Sequence, residues 1–117
     1  MKYVDGFLIA VPATKKQAYV DQAAAFAPIF KELGATRVVE CWGDDVPGGK
    51  VTSFGMAVKA EPDEVVVFAW IEYPSKEVRD AAVEKMKTDE RMLKTEMPFD
   101  AKRMIFGGFV PVVDSEE

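Results

Sequence analysis

Apolar residues occupy both parities of residues 3–11: Tyr3, Phe7, Ile9 and Val11 fall on one side of an extended chain, and Val4, Leu8 and Ala10 on the other. A strand with that pattern is buried on both faces, and Pro12 ends it. From Thr14 the spacing changes. Val20, Ala23, Ala24, Ala27, Phe30 and Leu33 recur at helical intervals up to Gly34, with Thr14 and Gln17 in capping-box order and Pro28 as a point of bending. Residues 36–42 are β-branched and aromatic enough for a second strand, closed by the turn formers Gly43, Asp44, Asp45, Pro47, Gly48 and Gly49. Residues 51–58 read either as the extension of a long hairpin or as a short helical turn capped by Thr52 or Ser53. Beyond Pro62 and Asp63, the run Val65 to Ile71 has no polar alternation, as expected of a central strand. Ser75 then caps a second helix, with Glu77 at its positive end and Val78, Ala82, Val83 and Met86 as its buried face. A short helix over 89–94 and a last strand within 102–113 follow, where Gly107 and Gly108 mark a bulge or a close backbone contact.

The order strand, helix, strand, strand, helix, strand is the split βαβ arrangement of the ferredoxin-like fold: an α+β domain with two helices on one face of an antiparallel sheet. One such domain over residues 1–117 is expected, since this length supports one core. Its first and third strands are apolar on both parities, so the face without helices would be an apolar patch larger than soluble monomers tolerate. A second copy is the simplest cover, which predicts a two-fold homodimer with the two sheets face to face, a dimeric α/β barrel.

Composition narrows the chemistry. Hydrophobic residues make up 49% and charged residues 30%, and the net charge is -5, so neither disorder nor phosphate neutralisation is expected, and nucleic acid is an improbable partner. No apolar stretch is long enough to span a membrane, and the single cysteine, Cys41, cannot form an internal disulfide, which together predict a cytoplasmic protein. The chain has no histidine, which removes Ser-His-Asp and Cys-His nucleophiles, His-containing zinc sites and His-ligated haem. No cofactor or metal is assigned, and no catalytic residue.

Several segments look familiar: Val39-Glu40-Cys41-Trp42-Gly43-Asp44-Asp45-Val46-Pro47, Thr52-Ser53-Phe54, residues 63–71 with Tyr73-Pro74-Ser75, Met97-Pro98-Phe99-Asp100, Arg103-Met104 and Gly107-Gly108-Phe109. Nearly the whole chain resembles the uncharacterised bacterial YbaA-like family. The resemblance implies a dimeric α/β-barrel fold, shared with cofactor-independent monooxygenases, some isomerases and haem-degrading enzymes, and no particular activity. Function does not transfer with a fold.

Three residues are the candidate ligand site. With the end of the third strand and the start of the fourth placed at one sheet edge, Trp70, Glu72 and Arg103 converge with the 97–100 loop to hold an anionic or aromatic small molecule. The plainer reading, an ion pair of Glu72 with Arg103 or Arg37 closing the sheet, outweighs it. Asp5, Glu40, Asp44 and Asp45 are placed together at the other end as a weaker possibility for a hard cation, set against ordinary turn-capping roles. Cys41 reads as a buried, inert thiol and Trp42, Phe68 and Trp70 as sheet core. The long 43–63 connection packs on the dimer partner or acts as a lid, the former being preferred. The favoured reading is a homodimeric small-molecule binder or cofactor-independent enzyme with a pocket between sheet and helices. The alternative is a protein-interaction or stress-related dimer, with RNA binding a distant third.

Overall fold

The structure, a computed structural model, describes residues 1–116. Four strands, β1 (Tyr3–Pro12), β2 (Arg37–Trp42), β3 (Glu64–Tyr73) and β4 (Ile105–Phe109), form one sheet in the order β2-β3-β1-β4. Every neighbouring pair is antiparallel, and β1 is paired with β3 along its whole length, from Tyr3 opposite Tyr73 to Pro12 opposite Glu64. This is the ferredoxin-like order. The apolar runs on both parities of β1 and β3 fall where they belong, in the two central strands.

The helices are α1 (Lys16–Leu33), α2 (Phe54–Ala57), α3 (Lys76–Met86) and α4 (Glu90–Leu93), with α1 and α3 packed on one sheet face. Sequence spacing puts Val20, Ala23, Ala24, Ala27, Phe30 and Leu33 on the inner stripe of α1, and Ala23, Phe30 and Leu33 do pack on the core. In the structure the stripe is rotated: Tyr19 and Phe26 are buried, with Ala23 and Phe30 packed beside them, and Val20 is 44% exposed. Two aromatics bury more area than the alanines they displace, which sets the rotation. Thr14 forms no capping box. Residues Ala13–Lys15 make a 3-10 turn, no side chain caps α1, and Gln17 bonds Asp21 instead. Ser75 does cap α3, accepting from the Val78 amide at 3.2 Å.

At its other end α1 closes on Gly34, whose φ of 132° is left-handed space that glycine takes without penalty. Its N–H reaches Lys31 O at 3.2 Å and the next N–H, of Ala35, reaches Phe30 O at 2.9 Å, the paired bonds of a Schellman ending. A Cβ at Gly34 would also meet Val78 of α3. In β4 there is no bulge, because pairing with β1 is continuous from Leu8–Ile105 to Val4–Phe109. Gly108 instead marks close contact: a Cβ there would collide with the Tyr3 ring and the Arg79 guanidinium.

The 43–63 connection contains α2, capped by Ser53, which accepts from the Met56 amide at 3.0 Å. It folds back over one end of the face without α1 and α3. There Val58 is 1% exposed against Ala10 and Val66, and Phe54 meets Phe68 edge-on with ring centroids 6.2 Å apart. The rest of that face is open. Phe68, Ile105 and Phe109, which face outward with Val4 and Leu8, are 47%, 43% and 61% exposed. Among the described residues no helix is long and apolar enough to cross a membrane.

Candidate functional site

Between the sheet and the α1/α3 layer lies a cavity of about 480 Å³, in the range of small-molecule pockets. Its floor is the inward parity of the strands, including Phe7, Ile9, Ala69 and Ile71; Phe26 and Phe30 of α1 and Val83 of α3 form the roof. Met86, Met92, Met97 and Met104 complete it near the α4 and 97–104 segments. Flexible thioethers in that position let the wall adapt to differently shaped apolar occupants. The 90–97 stretch is held over α1 by Arg91 to Glu32 at 2.7 Å and by Gln22 Nε2 donating to Glu96 O at 2.9 Å.

Besides Gln22 of α1, polar groups enter this apolar space at two places. On the β2 side the Tyr19 hydroxyl donates to Glu40 Oε1 at 2.6 Å. Burial pushes the Glu40 carboxyl pKa up, with the Tyr19 bond opposing, while Tyr19 is itself pushed well above the usual phenol range, first by burial and then by Glu40. Because β2 is an edge strand, Glu40 keeps contact with water as well as with the cavity. Toward the opposite side, Arg79 Nε donates to both Asp5 oxygens at 3.0 and 3.2 Å and Nη1 to Asp80 at 2.7 Å, its guanidinium stacked 4.8 Å over the Tyr3 ring. The bond to Asp80 and then the one to Asp5 hold Arg79 above its ordinary pKa, against the cost of burial. Tyr73 completes this end, fully buried, its hydroxyl pKa pushed up to about 12 by burial and by the Asp5 charge, with Arg79 opposing.

The residues singled out from sequence lie elsewhere. Trp70 and Glu72 are together, Trp70 Nε1 donating to Glu72 Oε2 at 2.9 Å with Arg37 at 3.7 Å, but on the open face. Arg103 is not with them. It makes a forked pair with Glu64 at 2.6 and 2.7 Å, bonds Asp100 at 3.0 Å and donates to Lys59 O at 2.8 Å. Glu64 and Glu72 are at opposite ends of β3, about 26 Å apart at strand rise. The expected convergence fails on strand direction: β3 and β4 are both antiparallel to β1 and so parallel to each other, which sets Arg103 beside the start of β3. Glu72 with Arg37, the plainer ion pair, is present, and Arg103 is likewise taken up by pairing.

The acidic cluster does not assemble either, since Asp5 serves Arg79 and Glu40 serves Tyr19, on strands separated by β3. Among the described residues no three of His, Cys, Asp or Glu are grouped to hold an ion. Cys41 is exposed on the outward parity opposite Phe68, because the edge strand is uncovered there. Sequence reasoning passed over Tyr19, Tyr73 and Arg79. The available signals were the inward parity Tyr73 shares with Ala69 and Ile71, and the need of a carboxylate such as Asp5, inside an apolar strand, for a buried cation.

Comparison with known proteins agrees with the fold and the resemblance. A dimeric ferredoxin-like protein from an uncultured marine organism superposes with a TM-score of 0.61 at 10% identity, 97% of each chain being covered. Rv0793 of Mycobacterium tuberculosis gives 0.55 at 10% identity over 98% of this chain and 99% of that one. At such identity the likeness is one of fold. In sequence, the chain is 66% identical over 116 residues to Uncharacterized protein YbaA of Escherichia coli K12, spanning 97% of this chain and 99% of the relative, with the same figures for the Shigella flexneri protein. Residues 2–101 match the family described as protein of unknown function, DUF1428, and the chain belongs to that family.

Proposed function

We propose that this protein is a homodimeric, cytoplasmic small-molecule-binding protein whose ligand lies in the cavity between the sheet and the α1/α3 layer. The observation that carries the reading is the cavity itself: about 480 Å³, walled mostly by aromatic, aliphatic and methionine side chains, with few polar groups. Sites that hold small molecules combine an apolar enclosure with few polar contacts in this way. Glu40, raised in pKa and bonded by Tyr19, supplies a carboxyl that can exchange a proton with an occupant, which is the one feature favouring chemistry over binding alone.

The dimer rests on the other face. The outward row of Phe54, Phe68, Trp70 and Phe109 is too large an apolar surface for a lone soluble chain. A solved protein of the same fold is described as dimeric. Covering this face with a second copy places Trp70 and Glu72 at the interface and leaves the cavity of each subunit on the outside of the barrel.

Titration with N-phenyl-1-naphthylamine, a neutral probe that fluoresces in apolar surroundings, tests the site. One probe per chain is expected, and Ala23→Trp, which fills the cavity from α1, should abolish binding while leaving helix content unchanged. Equal binding to a folded Ala23→Trp protein would put the probe elsewhere and reject the cavity as the site.

A further inference from the structure

At the β2 side of the cavity, Tyr19 and Glu40 satisfy one another. At the other side Tyr73 does not share in any such pair. It is the last residue of β3, it lines the cavity with no exposure to solvent, and its hydroxyl is buried without a hydrogen-bond partner among the described residues. It is the one buried side-chain polar atom in that condition among them. Folded proteins pair nearly all such groups, and an exception asks for an account. Phenylalanine would fill the same space without the penalty.

Resting on the reading of the cavity as a ligand site, we propose that the Tyr73 hydroxyl is a donor held for the ligand, and that the ligand is a flat apolar molecule carrying a neutral carbonyl oxygen at that end. The charges nearby select a neutral acceptor. Arg79 is flanked by two carboxylates, Asp5 and Asp80, and Asp80 also pairs with Lys76, so the charges at this end cancel and no free cation is left to hold an incoming carboxylate or phosphate. Arg79 has only donors, both Asp5 oxygens are turned to its Nε, and the Tyr73 hydroxyl bonds neither residue. The raised pKa keeps that proton in place across the physiological range, so Tyr73 acts as a donor throughout. The walls beside it, Ile71, Phe30 and Met86, offer no second hydrogen bond and suit a flat hydrocarbon body.

The test uses two naphthalenes of matched shape, 2-acetylnaphthalene with a carbonyl and 2-ethylnaphthalene without, titrated into the full-length wild type and Tyr73→Phe by displacement of N-phenyl-1-naphthylamine. Losing one hydrogen bond should weaken the ketone about tenfold in the variant and leave the hydrocarbon within about twofold. The infrared carbonyl stretch of the bound ketone should lie lower in wild type than in Tyr73→Phe. If both compounds respond alike to the substitution, or the stretch is the same in both proteins, Tyr73 is not the donor and the inference fails while the cavity reading stands. If neither compound nor the fluorescent probe binds wild type, both fail.

Discussion

The two faces of the sheet are both apolar, yet they handle polar groups in opposite ways. Beneath the α1/α3 layer, polar groups stand among the apolar ones: Asp5 on β1 bound to Arg79, Glu40 on β2 bound to Tyr19, and the Tyr73 hydroxyl with no hydrogen-bond partner among the described residues. On the open face they keep to the ends, Glu72 with Arg37 at one and Glu64 with Arg103 at the other, while Val4, Leu8, Phe68, Ile105 and Phe109 between them bring no charge. A face that meets its own helices can hold polar groups inside because the same chain supplies their partners. A face that meets another molecule cannot count on that, and an apolar centre with a polar rim is the arrangement that survives exposure before assembly. On the proposed function the helix-covered side is a container and the open side half of an interface.

The strongest way to break the comparison is to place a charge in the middle of the open face. Phe68→Glu sits where the lone chain is 47% exposed, so the subunit should fold, but in the dimer the carboxylate would be buried without a partner. Such a group costs about 3–5 kcal/mol, so the dissociation constant should rise at least about a hundredfold. Sedimentation velocity at micromolar concentration reads this directly. A wild type that sediments as a monomer, or a variant that stays dimeric, would mean that the open face is not an interface.

A second experiment compares one ion pair from each face. Asp5 is 8% exposed, and Asp5→Ala strips Arg79 of the partner that accepts from its Nε, leaving it only Asp80; a loss of about 2–3 kcal/mol in urea unfolding is expected. Arg37, whose side chain is 59% exposed and 3.7 Å from Glu72, should be removable for less than about 0.5 kcal/mol. Equal effects would erase the distinction between container and rim, at least in the lone subunit.

How much of this was readable before the structure follows from what each part depends on. Burial on both parities is a local property, and it correctly marked β1 and β3 as the central strands and the face without α1 and α3 as apolar. The Ser75 cap is local too and formed as expected. The composition of the site is not local. Placing Glu72 beside Arg103 required the relative direction of strands that are not neighbours, and one wrong direction moved a residue by the length of the sheet. Tyr19 was hidden for a different reason: the expected α1 stripe, which held Phe30 and Leu33, began at Val20, one residue past the Tyr19 that the core takes by area. A pocket between sheet and helices was legible from the layering, but its polar groups, Tyr19, Glu40, Tyr73, Asp5 and Arg79, come from five elements and meet only in three dimensions.

The smallest expected effect concerns Glu40, where the container side meets water. Its pKa is raised from an ordinary 4.5 because burial disfavours the ionised form more than the Tyr19 bond favours it. A carboxyl that binds its proton more tightly folded than unfolded stabilises the fold at low pH, and that contribution is lost as pH climbs from about 4.5 through the folded-state pKa. Glu40→Gln keeps an acceptor for Tyr19 and cannot ionise. In urea unfolding at a series of pH values, wild type should therefore lose ground to Glu40→Gln as pH rises through this window and run parallel to it above. Since Glu40 remains open to water along the edge strand, screening keeps the change smaller than the Asp5 effect. A wild type that instead gains on the variant with rising pH would mean that the Tyr19 hydrogen bond outweighs burial, and that Glu40 enters the cavity as a settled carboxylate rather than as a group poised to take up a proton.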